Sequence, residues 1–117
     1  MPERFLTAAA THAAARAKER YRVRLDADSY ALLCDKIDAG HEAKFVCSLS
    51  EEFAPDRQAW LVLHESTGWM LAVYNTRTRL ILSFLPLSTQ FTARGVPYWD
   101  KERWPRGIIL EEIDDGR

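Results

Sequence analysis

The sequence predicts an α+β domain. One or two N-terminal helices pack on one face of a four-stranded antiparallel meander, and an irregular, aromatic-rich C-terminal tail follows. Two observations carry this reading. An apolar stripe at helical spacing, Tyr30, Leu33, Cys34 and Ile37, precedes the strands. Behind it, short β-type runs alternate with turn-forming residues, ending in Trp69–Tyr74, a polar turn and the run to Leu85 before Pro86.

Residues 4–19 form the first predicted helix, rich in alanine, which favours helix but buries little area per residue. Arg16, Lys18 and Arg20 read as a solvated basic face and lead into Tyr21–Leu25, a short edge strand or an extended entry. The second helix spans 27–39, with Asp26 or Asp28 accepting its first N–H bonds and Gly40 supplying the left-handed residue that ends it. Residues 43–86 form the meander: strands at Ala43–Leu49, Gln58–Glu65, Trp69–Tyr74 and Arg79–Leu85. The turns between the last three are Ser66–Gly68 and Asn75–Thr78, and Pro86 stops the last strand. The tail, 87–117, packs on the body with its four large aromatics, and Ile108–Leu110 is a candidate late strand.

Turn length sets register, and alternation then sorts side chains onto two faces. Leu61, Leu63, Leu71, Val73, Leu80, Leu82 and Phe84 form the expected core face. Trp60, Val62, His64, Met70, Ala72, Tyr74, Arg79, Ile81 and Ser83 form a mixed face, either open as a binding surface or covered by the tail. On it His64, Met70 and Ser83 are expected in a row across three strands, with Trp60, Tyr74 and Arg79 at the other end.

A chain of 117 residues supports one domain, 1–117. No apolar run reaches the roughly 18 residues a spanning helix needs, and the opening Met1-Pro2-Glu3-Arg4 lacks the order of a signal peptide, so a cytoplasmic protein without membrane contact is expected. Cys34 and Cys47 read as two buried thiols, and no ligand-type His/Cys spacing points to a metal or any other cofactor. The net charge of −1 hides basic segments at 1–24 and 74–106 and acidic ones at 25–65 and 107–117. A dedicated nucleic-acid binder shows a clearer basic excess.

The stretch Arg22–Leu25, the helix with Tyr30, Leu33 and Ile37, the turn at Gly40, then Trp60-Leu61-Val62, Val73-Tyr74-Asn75 and Ile81–Pro86 resembles the barnase–EndoU–colicin–RelE (BECR) ribonuclease superfamily, over about residues 20–86. Asn75 departs from the pattern, where relatives often have Asp. The resemblance implies a toxin-like, metal-independent ribonuclease that cleaves single-stranded RNA by turning the 2′-hydroxyl on the adjacent phosphorus. That chemistry needs a base, an acid and cations. It implies RNA as substrate and a cognate antitoxin or immunity protein as partner.

The positions that match are His64, Tyr74, Arg77, Ser83 and Lys44 as catalytic candidates, with Trp60 and Arg79 to bind RNA. Each has a plainer role available: His64 as a surface residue before a turn, Tyr74 as sheet packing, Arg77 as a turn residue, Ser83 as a small polar filler. His41 reads as a loop residue, and His12 as a helix residue far from the sheet in sequence. The competing function is a non-catalytic interaction module on the same scaffold. It would form a homodimer or bind a partner through the mixed face or the tail, with Trp60, Trp99 and Trp104 as anchors.

Overall fold

In the computed structural model the described residues are 8–51 and 55–98. Two helices, α1 (Ala8–Tyr21) and α2 (Ala27–Ala39), precede the strands β1 (Ala43–Ser48), β2 (Arg57–His64), β3 (Gly68–Asn75) and β4 (Leu80–Leu85). These strands form one antiparallel sheet in the order β1-β2-β3-β4. A two-residue hairpin, β5 (Gln90–Phe91) and β6 (Pro97–Tyr98), follows. The candidate strand at 108–110 and the anchors Trp99 and Trp104 lie outside the described residues.

The boundaries of α2 follow from local chemistry. Asp26 caps it by accepting the Ser29 N–H at 2.8 Å, and the Ser29 hydroxyl returns a bond to the Asp26 N–H at 2.9 Å. Gly40 ends it at φ +69°, with the His41 N–H reaching the Lys36 carbonyl at 2.9 Å. One stripe, Tyr30, Leu33, Cys34 and Ile37, is buried. In α1 the buried face is alanine, Ala10, Ala13 and Ala17, which lets the helix backbone lie close along β4. Tyr21–Leu25 joins no strand: after α1, Arg22 turns the chain at φ +58°.

The turn lengths agree with the sequence reading, but each turn sits one residue away. Glu65–Thr67 joins β2 to β3, so His64 opposes Gly68, at φ +95°, and Leu61 opposes Leu71. Residues 76–79 join β3 to β4, and Arg79 belongs to the turn, at φ +60°, rather than to the strand. Tyr74 then opposes Ile81 while Val73 opposes Ser83, so Leu82 is an extra residue, a bulge.

The bulge and the packing correct two expectations. Past Leu82 the alternation reverses, so Phe84 belongs with the core under the helices and Ser83 leaves the mixed face. The row His64–Met70–Ser83 therefore does not form. The helices, and not the tail, cover much of the mixed face, which was expected to be open or covered by the tail: Ala10, Ala13, Ala17, Tyr30, Leu33 and Ile37 share a core with Val62, Met70, Ala72, Ile81 and Phe84. Small Ala72 admits a closely packed helix, and the Tyr30 hydroxyl donates to the Ile81 carbonyl at 2.7 Å. The leucine face is a second core, where Leu61, Leu71 and Val73 meet Leu49 and Leu85 beneath Leu87 and Phe91.

Segment 86–98 is held over this face by contact of its own. The Ser50 N–H donates to the Gly95 carbonyl at 3.1 Å. A Cβ built on Gly95 would stand 2.3 Å from the Ser48 carbonyl oxygen, and its φ is +84°, so only glycine fits without movement. No described helix is long and apolar enough to cross a membrane.

Candidate functional site

Three residues on different elements meet at a cleft of about 630 Å³ on the leucine side of the sheet: His12 of α1, Arg57 at the start of β2, and Ser83 of β4. Val73, Leu82, Leu85 and Pro97 supply apolar wall. Each functional residue arrives for a local reason. The bulge turns Leu82 and Ser83 to the same side of β4. Arg57 opposes Asn75, which places it on the same side as Ala59, Leu61 and Val73. The alanine face of α1 lets that helix run along β4, bringing His12 to the cleft that Ser83 lines.

His12 and Arg57 are exposed and Ser83 is half-buried. Among the described residues none of their side chains makes a hydrogen bond or ion pair. An imidazole, a guanidinium and a hydroxyl thus line one mostly apolar hollow with their polar groups uncommitted. That set can exchange a proton, hold an anion and donate a hydrogen bond, while the walls accept a flat apolar ring.

His12 lies far from the sheet along the chain, so its sequence position alone does not point to a site. The signal that could have found it is spacing. His12, Arg16 and Arg20 recur every four residues along one flank of a helix otherwise lined by small residues. That flank faces β4: the Arg20 Nη1 donates to the Phe84 carbonyl at 2.7 Å, and burial lowers the pKa of the guanidinium. Arg57 carried no signal of its own, because it stands at the end of a loop.

The other sequence candidates scatter. Ser83 alone of the five catalytic candidates lines the cleft. Lys44 opposes Leu61 on the leucine side, with its ammonium 5.4 Å from the centre of the Trp69 ring. His64 stands at the far end of β2, where its Nδ1 accepts the Ser66 N–H at 3.2 Å and steadies the turn. Tyr74 is buried under α2 and its hydroxyl donates to Asp38 at 3.3 Å. Arg77 sits at the exposed tip of the β3–β4 turn, 3.7 Å from Asp56. Asn75 has a structural task there: its side-chain oxygen accepts the N–H groups of Arg77 and Thr78 at 2.8 and 3.1 Å.

Trp60, Tyr74 and Arg79 do come together, as expected, in a shallow groove of about 390 Å³ that also includes Asp38 and Thr76. The basic residues at the end of α1 are grouped too: Lys18, Arg22 and Arg24 rim a depression of about 410 Å³ with Glu19. Both cysteines are free thiols; Cys34 is buried, as expected, whereas Cys47 is only half-buried. Burial raises the Cys47 pKa to about 11, so it is not a reactive nucleophile near neutrality. Among the described residues no group of three His, Cys, Asp or Glu side chains could hold a metal ion. Comparison with protein-family models, with curated proteins and with solved structures finds no match to this chain.

Proposed function

We propose that this chain is a toxin-like endoribonuclease of the BECR type, cleaving single-stranded RNA at the cleft of His12, Arg57 and Ser83. The observation that carries the reading is that these three polar side chains, without hydrogen bond or ion pair among the described residues, line one apolar-walled hollow. The α+β meander with its helices on one face supports it as well.

The chemistry is transesterification. The His12 imidazole takes the proton of the ribose 2′-hydroxyl, and the freed oxygen attacks the adjacent phosphorus. Arg57 holds the non-bridging oxygens as negative charge grows on them, and the Ser83 hydroxyl donates a hydrogen bond to the same group. The bond from phosphorus to the 5′-oxygen breaks, and that oxygen takes a proton from water in the open cleft. The products are a 2′,3′-cyclic phosphate and a 5′-hydroxyl end. A nucleobase rests against Val73, Leu82 and Leu85.

The test is cleavage of a labelled RNA beside the same oligonucleotide with a 2′-deoxy sugar at each position. RNA is cut to cyclic-phosphate ends and the deoxy strand is not. His12→Ala lowers turnover by about 10²–10⁴-fold, the usual worth of a positioned acid–base group. Intact RNA under all conditions, or equal turnover in His12→Ala, would falsify the proposal. The cognate partner expected of such a toxin is an antitoxin or immunity protein that closes the cleft.

The alternative of a non-catalytic interaction module draws on one observation. Phe45 of the outer strand β1 is 47 % exposed while packing edge-on against Trp60 at 5.6 Å. A sizing column separates this reading from the first, since it requires a homodimer or a co-purifying partner held through that edge.

A further inference from the structure

The groove of Trp60, Asp38, Thr76 and Arg79 lies on the helix side of the sheet, opposite the His12 cleft, yet both reach the same end of the molecule. Arg57 of the cleft opposes Asn75, the residue that opens the β3–β4 turn, and Arg79 closes that turn. Arg77 stands at the tip between them. Three arginines therefore mark a path from one face of the sheet, around the hairpin, to the other.

The two turn arginines are loosely held. Arg77 is 78 % exposed and 3.7 Å from Asp56; Arg79 is 66 % exposed and 3.5 Å from Asp38. Charge-assisted bonds that hold a guanidinium run about 2.7–2.9 Å, and exposed pairs of this kind contribute little. An incoming phosphate can displace either carboxylate. Arg79 also occupies φ +60°, where a glycine would sit without strain, so a long cationic side chain stands at a position whose backbone favours none.

The groove offers a ring surface beside this charge. The Trp60 indole N–H is fixed by Gln58 at 2.9 Å and its ring is steadied by Phe45, so the half-buried indole is held in one orientation. Tyr74 is too buried to stack; its hydroxyl instead orients Asp38.

Resting on the ribonuclease reading, we infer that this groove is a second nucleotide subsite. A single RNA strand bends around the β3–β4 turn, with one base on Trp60, phosphates on Arg79 and Arg77, and the scissile nucleotide in the cleft. The substrate is then an extended, unpaired strand of several nucleotides, and a duplex or a dinucleotide uses the cleft alone.

The experiment measures binding of 2′-O-methyl oligoribonucleotides, which cannot be cleaved, to the full chain by fluorescence anisotropy. A dinucleotide, a tetranucleotide and an octanucleotide are compared at low and moderate salt. Affinity rises about 10- to 100-fold from dinucleotide to octanucleotide, the range one aromatic stack supplies. Arg79→Gly, which suits the backbone, removes part of that gain and leaves the dinucleotide unchanged. Asp38→Asn, which frees Arg79, tightens only the longer strands, and Trp60→Phe weakens them. Affinity independent of length, an equal loss for short and long strands in Arg79→Gly, or no binding of any oligonucleotide overturns the inference. Because binding is read without turnover, a protein that fails to cleave RNA can still pass this test, and one that cleaves it can fail.

Discussion

The hydroxyl of Tyr21 stands between β3 and β4, accepting the Leu71 N–H at 3.0 Å and donating to the Leu85 carbonyl. Leu71 and Leu85 are register partners, so a side chain of α1 completes the ladder at the end of the sheet. Desolvation raises the Tyr21 pKa well above its usual value of 10.0. The same residue packs edge-on against Phe84 at 6.3 Å, so α1 is tied to β4 by both bond and ring.

Tyr21→Phe keeps the ring and removes the bridge, leaving a buried N–H and carbonyl without partner. The expected cost is about 1–3 kcal/mol in urea denaturation at neutral pH. The pH dependence carries a sign. A group with a raised folded pKa contributes stability that is present below its unfolded value and lost as pH rises toward the folded one. The parent protein therefore loses stability above pH 10, and the phenylalanine variant shows a flatter alkaline limb. Cys47 adds a parallel loss between 9.0 and about 11, which Cys47→Ala removes.

Gly95→Ala tests how the second face is closed. Its methyl would meet the Ser48 carbonyl at 2.3 Å, and the left-handed φ adds strain, so segment 86–98 must lift. The expected result is a loss of about 1–3 kcal/mol, the range for overpacking and backbone strain. A hydrophobic dye then binds to the leucine face as Leu61 and Leu71 lose cover. An unchanged melting curve without dye binding counts against the docked geometry.

Thr89 offers a stabilising change. Its hydroxyl is buried and finds no hydrogen-bond partner among the described residues, and neither does that of neighbouring Ser88. Valine has nearly the same shape and no polar atom to desolvate. Thr89→Val is expected to raise stability by about 1–2 kcal/mol, read as a higher denaturant midpoint with an unchanged slope.

Local rules were enough for what local chemistry decides. Asp26 and Gly40 mark both ends of α2, and the two turn lengths of the meander follow from the residues between its strands. What the sequence did not reveal depends on long-range packing. Both faces of β2 and β3 are apolar, Val62, Met70 and Ala72 on one and Leu61, Leu71 and Val73 on the other, so alternation cannot tell which face the helices take. The bulge at Leu82 has no marker such as glycine, yet it decides where Ser83 points. His12 reaches the cleft only through the docking of α1 on β4, which no spacing within the strands encodes.

Arg57 gives the cleanest probe of the cleft, because its side chain is exposed and without ion pair among the described residues. Arg57→Ala should leave the melting temperature within the scatter of ordinary surface substitutions, about 0.5 kcal/mol. If the guanidinium meets charge that develops only as phosphorus is attacked, kcat on RNA falls by about 10²–10³-fold while KM moves far less. Arg57→Lys restores part of the rate, since an ammonium supplies the charge without the planar fork that holds two oxygens. Ser83→Ala, tested alongside, loses a single hydrogen bond and should cost less than Arg57→Ala. Single-turnover kinetics on one labelled RNA distinguish these outcomes. A fall confined to KM in Arg57→Ala assigns the arginine to ground-state binding, and an unchanged rate in both variants removes the cleft from the chemistry.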